Sequence, residues 1–160
     1  MRDIDLDQAD EFATVQNVEL DLFYFNLTAP NFIDTETGVI TQYSIEQSSD
    51  VEFLNDDFFQ NNVTQLDLYF ESENTFAQEF TNRISFKNQN KEVYSLEYTV
   101  KSGSADNPTT TIFEKTISGD DLLMVKSAIS IEVATEIKPN NMPVLGNLGF
   151  KSKIRYRLEF

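Results

Sequence analysis

Apolar residues that recur at every second position constrain this chain more than any other feature. The clearest case is the stretch VTQLDLYFES, where Leu66, Leu68 and Phe70 alternate with polar side chains. Successive side chains of a β-strand point to opposite faces, so this spacing predicts a strand with one buried face. No long stretch keeps the spacing of an amphipathic helix. The chain is therefore predicted to be all-β.

Turn-rich sequence separates eight predicted strands, at residues 15–27, 39–45, 63–72, 80–88, 94–100, 110–117, 129–137 and 150–160. The first contains the run LFYF, which is apolar on both faces and predicts a central strand covered on both sides in its second half. A short connecting helix is predicted from Ser118, and one helical turn from Asn55 to Gln60. We expect residues 13–160 to form one two-sheet antiparallel sandwich, immunoglobulin-like or jelly-roll-like.

Composition excludes several classes of function. The 160 residues include no cysteine and no histidine, which removes disulfides, thiol and imidazole catalysis, and the usual zinc sites. Twelve basic residues against 27 acidic ones give a formal net charge of −15, which is unsuited to binding nucleic acid or anionic lipid. The same charge discourages self-association, so we expect a monomer, and no run of apolar residues is long enough for a transmembrane helix.

The chain begins with an acidic run, RDIDLDQADEF, that has the start of a calcium-binding loop. Asp3, Asp5 and Asp7 occupy alternate positions, as EF-hand ligands do. Gln8 stands where that loop needs glycine, and Thr14 stands where it needs a bidentate glutamate. We therefore expect no metal site here. A solvated acidic segment, or a short strand anchored only by two apolar residues, remains open.

A resemblance suggests a third interpretation of this run. The segments DIDLDQADEF, VELDLFYFNL and LNDDFFQNNVTQLDLYFESENTF, followed by an alternating terminal strand, resemble the mature region of small lipoproteins of unknown function from flavobacteria and related Bacteroidota. The resemblance implies an outer-membrane lipoprotein exposed at the cell surface, in which a lipidated cysteine precedes the acidic leader. Met1 stands where that cysteine would be. Residues 1–12 would then be a flexible spacer between the lipid and the domain.

Adjacent carboxylates occur twice, and a glycosidase would need two that face one another across a sugar. Asp56 with Asp57, and Asp120 with Asp121, are instead neighbours where short helices are predicted to start, so helix capping explains both pairs.

Exposed aromatic side chains could bind the apolar faces of a carbohydrate. Tyr43, Tyr69 and Phe76 are the aromatic residues that we predict to be exposed, although packing across strands is the simpler role for them. Asn26 and Asn62 match the short glycosylation pattern, which a bacterial source would leave unused.

The C-terminal strand KSKIRYRLEF carries a basic stripe, Lys151, Lys153, Arg155 and Arg157, on one face and Ser152, Ile154, Tyr156, Leu158 and Phe160 on the other. The stripe could capture an acidic partner. Charge pairing with acids on neighbouring strands explains it more simply, with Glu19 and Asp21, or Asp67 and Glu71, as the predicted partners.

Three functions remain open from the sequence. The first is a non-catalytic interaction or structural module of the cell envelope or cell surface, whose partner is another envelope protein or a glycan. The second is a carbohydrate-binding module that uses exposed aromatics. The third is a carboxylate-based hydrolase. No catalytic, cofactor or metal-binding residue is predicted.

Overall fold

The computed structural model describes residues 15–159, apart from the side chain of residue 23. Within this range the chain forms eight β-strands and two short α-helices. The strands are β1 (Val15–Thr28), β2 (Ser44–Asp50), β3 (Val63–Asn74), β4 (Phe80–Asn88), β5 (Lys91–Val100), β6 (Thr109–Ile117), β7 (Ser130–Ile137) and β8 (Asn147–Glu159). The helices are α1 (Asp57–Asn62) and α2 (Gly119–Lys126), and 3₁₀ turns occupy Ala29–Asn31 and Glu52–Asn55.

The strands pair in a nested order. The first sheet has the order β1-β8-β3-β6 and the second β2-β7-β4-β5, with antiparallel neighbours throughout. Each early strand therefore pairs with its counterpart from the other end of the chain: β1 with β8, β2 with β7, β3 with β6 and β4 with β5. A long hairpin rolled into two facing sheets has this pairing, which is that of a jelly roll. The predicted antiparallel sandwich is confirmed, and its form is jelly-roll-like rather than immunoglobulin-like.

The hydrophobic core lies between the two sheets and is filled by alternate residues of the strands. Leu66, Leu68 and Phe70 of β3 are fully buried, as their spacing predicts. Ile84 and Phe86 of β4 meet them from the second sheet, and both are buried. Full burial of one such side chain contributes about 1.5–3 kcal/mol, so this alternation holds the sheets together.

Strand β1 lies at the edge of the first sheet, so the predicted central position of its second half is wrong. Its register against β8 shifts by one residue between the Cα partners Asp21–Lys153 and Tyr24–Lys151. This shift is a β-bulge, and it exchanges the alternate positions that face the core. Leu22 within the bulge and Phe25 after it both pack against the core, whereas Tyr24 is 84% exposed. The LFYF run therefore reflects a bulge in an edge strand.

The strand predicted at residues 39–45 is also wrong in position, because β2 begins only at Ser44 and ends at Asp50. The loop that precedes β2 is held by the carbonyl oxygen of Phe32, which accepts hydrogen bonds from the backbone amides of Thr41 (2.8 Å) and Gln42 (3.0 Å). Phe32 is fully buried and anchors this loop. The apolar residues between residues 39 and 43 therefore belong to this loop and not to a strand.

Both predicted helical segments form, with shifted boundaries. Helix α1 follows Asp56, whose carboxylate accepts a hydrogen bond from the amide of Phe58 at 3.1 Å. Helix α2 follows Ser118, although the hydroxyl of this residue makes no capping hydrogen bond. The predicted turn at residues 55–60 is divided between a 3₁₀ turn and α1.

Lys126, the last residue of α2, is buried and joins the two helices. Its ammonium group donates hydrogen bonds to the carbonyl oxygens of Val63 (2.7 Å) and Gln60 (2.9 Å), at the end of α1. The side chain of Gln60 donates in return to the Lys126 carbonyl at 2.9 Å. Burial lowers the pKa of Lys126, because the charged form loses hydration that two carbonyls replace only in part.

A polar cluster crosses the core between the two sheets. Asn82 of β4 is its centre: the amide donates to the hydroxyl of Tyr98 at 3.0 Å and accepts from the hydroxyl of Thr135 at 2.7 Å. Ser72, on β3 of the first sheet, lies 3.2 Å from the Tyr98 hydroxyl and 3.4 Å from the Asn82 amide nitrogen. All four side chains are buried. Because hydrogen bonds are directional, this cluster favours one alignment of the facing sheets.

Candidate binding face

The outer face of the first sheet, which we define as the side chains of β1, β8, β3 and β6 that point away from the core, brings together the predicted basic stripe and its predicted acidic partners. Lys151, Lys153, Arg155 and Arg157 form the predicted basic stripe on β8. The alternating residues Ser152, Ile154 and Leu158 are buried. Because β8 lies between β1 and β3, the stripe runs along the middle of this face rather than along an edge.

On the β3 side, the stripe is joined to a hydrogen-bonded pair of β3 residues. The Lys151 ammonium lies 2.9 Å from Glu71, and the Tyr69 hydroxyl donates to the other oxygen of this carboxylate at 2.7 Å. These contacts hold the pKa of Glu71 below its usual value, with the Tyr69 hydrogen bond as the largest cause. The same bond raises the pKa of Tyr69 to about 12, and Glu71 raises the pKa of Lys151.

On the β1 side, Glu19 receives two cations. Arg155 lies 3.0 Å from one of its carboxylate oxygens and Lys153 lies 3.4 Å from the other. These contacts, Arg155 first, lower the pKa of Glu19. Arg157 pairs along its own strand with Glu159 at 3.4 Å. The predicted cross-strand pairing is therefore confirmed for three of the four stripe residues.

A polar depression of about 490 Å³ lies over the middle of this face. Its lining includes Glu19, Asp67, Tyr69, Glu114, Lys153 and Arg155. Asp67 accepts a hydrogen bond from the hydroxyl of Thr116 on β6 at 2.7 Å, so this predicted partner of the stripe bonds to the opposite neighbour instead. Within this depression, Glu19 pairs with both Lys153 and Arg155.

A second depression of about 390 Å³ adjoins the first, and we call it the tyrosine depression. The strand registers arrange its lining in two rows across β1, β8 and β3: Tyr24, Lys151, Glu71 in one row and Asn26, Gly149, Glu73 in the next. Gly149 has no side chain to fill the centre of its row. A Cβ at this position would meet nothing nearer than the Asn26 side chain at 3.8 Å. The absent side chain creates a dip beside the exposed ring of Tyr24.

The predicted aromatic candidates do not form this site. Phe76 is fully buried against Phe32 and Phe80, so the prediction of its exposure is wrong. Tyr43 is 55% exposed but precedes β2 in the other sheet, and Tyr69 is half-buried in the polar depression.

Sequence reasoning missed Tyr24 and Gly149. The change of apolar alternation within LFYF is compatible with a bulge that exposes Tyr24 but also with a strand covered on both faces, and an isolated glycine in an alternating strand is a weak signal of a gap in its surface.

The remaining candidates have local structural roles. Asp56 caps α1, and Asp120 and Asp121 lie in the first turn of α2, where the helix dipole favours acids. Asn62 donates to the Phe58 carbonyl at 2.9 Å. Asn26, by contrast, has no such role in the part of the chain that the structure describes and is exposed at the tyrosine depression.

Residues 15–159 contain no cluster of three or more acidic side chains arranged to hold a metal ion. Asp3, Asp5 and Asp7, with the predicted leader 1–12 and Met1, lie outside the described residues. None of the helices described here is long and apolar enough to cross a membrane.

The comparisons with known proteins concern the fold alone. No family model matches the chain, and no curated protein sequence matches it. The VP2 subviral particle of infectious bursal disease virus is similar to it, with a TM-score of 0.51, 11% sequence identity, and coverage of 91% of this chain and 33% of that one. The structure of the Gx strain of the same virus is also similar, with a TM-score of 0.48, 9% sequence identity, and coverage of 91% of this chain and 32% of that one. The chain thus spans about a third of these structures.

A bacteriophage tailspike is also similar: the enzymatically active domain of tailspike protein 4 of phage CBA120 has a TM-score of 0.42, 10% identity, and coverage of 91% of this chain and 20% of that one. At such identities the likeness to the capsid protein supports a jelly-roll sandwich and carries nothing further.

Proposed function

We propose that this protein is a non-catalytic interaction module of the cell envelope or cell surface, and that it binds its partner on the outer face of the first sheet. The observation that supports this proposal is the pair of adjoining depressions on that face, one of them beside a tyrosine that is 84% exposed. Concave sites lined by aromatic and polar groups are where proteins bind ligands most often.

Charge also favours this face for binding. The stripe places four of the twelve basic residues of a chain of net charge −15 on one strand face. Their ion pairs with Glu19 and Glu71 reduce the local negative potential. A partner that approaches this face therefore meets less net negative charge than it would over unpaired acids.

The compartment is part of the same proposal, and its support is the resemblance to flavobacterial lipoproteins. Under it, the natural precursor carries a signal peptide and a lipidated cysteine at the position of Met1. Labelling of the natural protein with a fatty-acid analogue, followed by cell fractionation, tests this. Incorporation of label and recovery with the outer membrane are expected, whereas unlabelled protein in the cytosolic fraction would contradict the proposed compartment.

The binding face is tested by filling its dip. Gly149→Leu adds a side chain at the centre of the tyrosine depression, while Ala134→Leu adds the same side chain on the interior strand β7, at an outward position of the second sheet. Retention of purified protein on flavobacterial envelope vesicles should fall by about tenfold for Gly149→Leu and change little for Ala134→Leu. Equal retention of both variants and the wild type would refute the proposed face.

A further inference from the structure

The exposed ring of Tyr24 adjoins a row of polar side chains in a way that suits one ligand class. The bulge in β1 turns this ring out of the core, at the sheet edge and beside the dip over Gly149. An aromatic ring that is held outward by the backbone offers a flat apolar surface. The pyranose ring of a sugar has an apolar face of similar size, made of its C–H groups.

The row beside the ring supplies hydrogen-bonding groups at the rim of the dip. Asn26 and Glu73 flank Gly149 on either side, and both side chains are exposed. Within residues 15–159, neither side chain forms a hydrogen bond to another residue. Asn26 can both donate and accept, and Glu73 accepts, which matches the hydroxyl groups around a sugar ring.

The charges of the tyrosine depression argue for a neutral ligand. Lys151 is already paired with Glu71 at 2.9 Å, and Glu73 and Asp21 also act on it electrostatically. The lining holds the acids Asp21, Glu71 and Glu73 against Lys151 and Lys153. An anion would meet an excess of carboxylates, so a phosphate, a sulfate or a uronic acid is disfavoured.

We propose that the tyrosine depression is a subsite for a neutral saccharide, in which Tyr24 stacks on the sugar ring while Asn26 and Glu73 bind its hydroxyl groups. The volume of about 390 Å³ lies at the lower end of the range for ligand pockets, which suits one or two sugar units of a longer chain. This inference rests on the proposed function, since it names the ligand of the same face.

The test uses the full chain and an array of neutral oligosaccharides, namely gluco-, manno-, galacto- and xylo-hexaoses, with uronic-acid oligomers alongside. Wild type should bind at least one neutral series. Tyr24→Ala should weaken that binding by about tenfold, whereas Tyr24→Phe should retain it within about threefold because the ring remains. Tyr43→Ala is the matched control, since Tyr43 is exposed but lies elsewhere, and it should bind as wild type does.

The outcomes separate this inference from the proposed function. If wild type binds no neutral oligosaccharide, or binds only the uronic-acid series, the saccharide inference is wrong. If Gly149→Leu nevertheless loses retention on envelope vesicles treated with glycosidases, the face binds a protein and the proposed function stands. If the vesicles retain Gly149→Leu as well as they retain wild type, both the saccharide inference and the proposed binding face are wrong. If Tyr24→Ala and Tyr43→Ala bind a neutral glycan equally well, the glycan site is elsewhere and the inference fails.

Discussion

The buried hydroxyl of Tyr98 offers the sharpest test of how the two sheets are aligned. Tyr98→Phe removes only this oxygen, and the ring can keep its stacking on Phe113, whose centroid lies 4.9 Å away. Two hydrogen bonds are lost, the one from the Asn82 amide at 3.0 Å and the one shared with Ser72 at 3.2 Å. The side-chain nitrogen of Asn82 then has only one acceptor left, the Ser72 hydroxyl at 3.4 Å.

The expected cost follows from these two bonds. A buried hydrogen bond contributes about 0.5–1.5 kcal/mol net, so Tyr98→Phe should lower the free energy of unfolding by about 1–3 kcal/mol. This is a large part of the roughly 5–15 kcal/mol that stabilises a typical domain. Urea denaturation followed by far-ultraviolet circular dichroism measures the loss, since the chain contains no tryptophan.

Tyr94→Phe is the matched control. Tyr94 lies on the same strand and the same inward face, and within the described residues its hydroxyl makes no hydrogen bond. We expect a change within about 0.5 kcal/mol for this variant. A double-mutant cycle between Tyr98→Phe and Ser72→Ala should give a coupling of about 0.5–3 kcal/mol, because the pair joins the two sheets. If Tyr98→Phe costs no more than Tyr94→Phe, the cluster does not align the sheets.

Three further perturbations test other parts of the structure. Because burial lowers the pKa of Lys126, the folded state releases this proton at a lower pH than the unfolded state does. Wild type should therefore gain stability relative to Lys126→Met as the pH rises through the lowered pKa towards 10.5. A difference between their urea midpoints that stays constant from about pH 7 to 10.5 would contradict this. Gly103→Ala should cost about 1–3 kcal/mol or more, because its Cβ would collide with the backbone carbonyl of Asn74, whereas Gly149→Ala has room and should be nearly neutral in the same urea titration. The double variant Arg155→Glu, Arg157→Glu should lower the melting temperature at low salt, since Arg155 lies opposite both Glu19 and Asp67. Salt at about 1 M should reduce this loss, and a loss that does not depend on salt would show that packing rather than charge is responsible.

The faces of the strands could be predicted from the sequence because alternation is a local property. Leu66, Leu68 and Phe70 had to share a face wherever β3 lay in the fold, and the same holds for the basic stripe on β8. Edge or central position is different, because it depends on which strands meet. The LFYF run is consistent with a doubly covered strand or with a bulge, and only the register against β8 distinguishes the two.

Burial outside the strands could not be predicted for a related reason. Phe76 follows β3 in a turn, where no alternation indicates its environment. It is buried because Phe32, from a loop more than forty residues earlier in the chain, packs against it with ring centroids 6.1 Å apart. The tyrosine depression likewise needs β1, β8 and β3 side by side. Neither Tyr24 nor Gly149 has a distinctive sequence context that would reveal their proximity.

The charge pattern limits which strands can lie beside β8, and it also limits where a ligand can bind on the outer face. A strand with cations at alternate outward positions is stabilised by acidic strands on both sides, and β1 and β3 supply Glu19 and Glu71. Strand β7 is also acidic, but its Glu132 pairs within the second sheet with Lys87 at 3.1 Å. The stripe is thus part of the sheet structure, and a ligand that displaced its ion pairs would have to replace them.

Binding at the margin of the stripe avoids that cost. Tyr24, Asn26 and Glu73 surround the dip over Gly149, and none of these three side chains has to leave a hydrogen bond within the described residues before it contacts a ligand. Changes to Arg155 and Arg157 should therefore alter stability and its salt dependence more than binding. Changes to Tyr24 and Gly149 should alter binding at nearly constant stability, since the one side chain is exposed and the other position has room for a Cβ. The opposite distribution of effects would mean that the stripe itself is the binding surface.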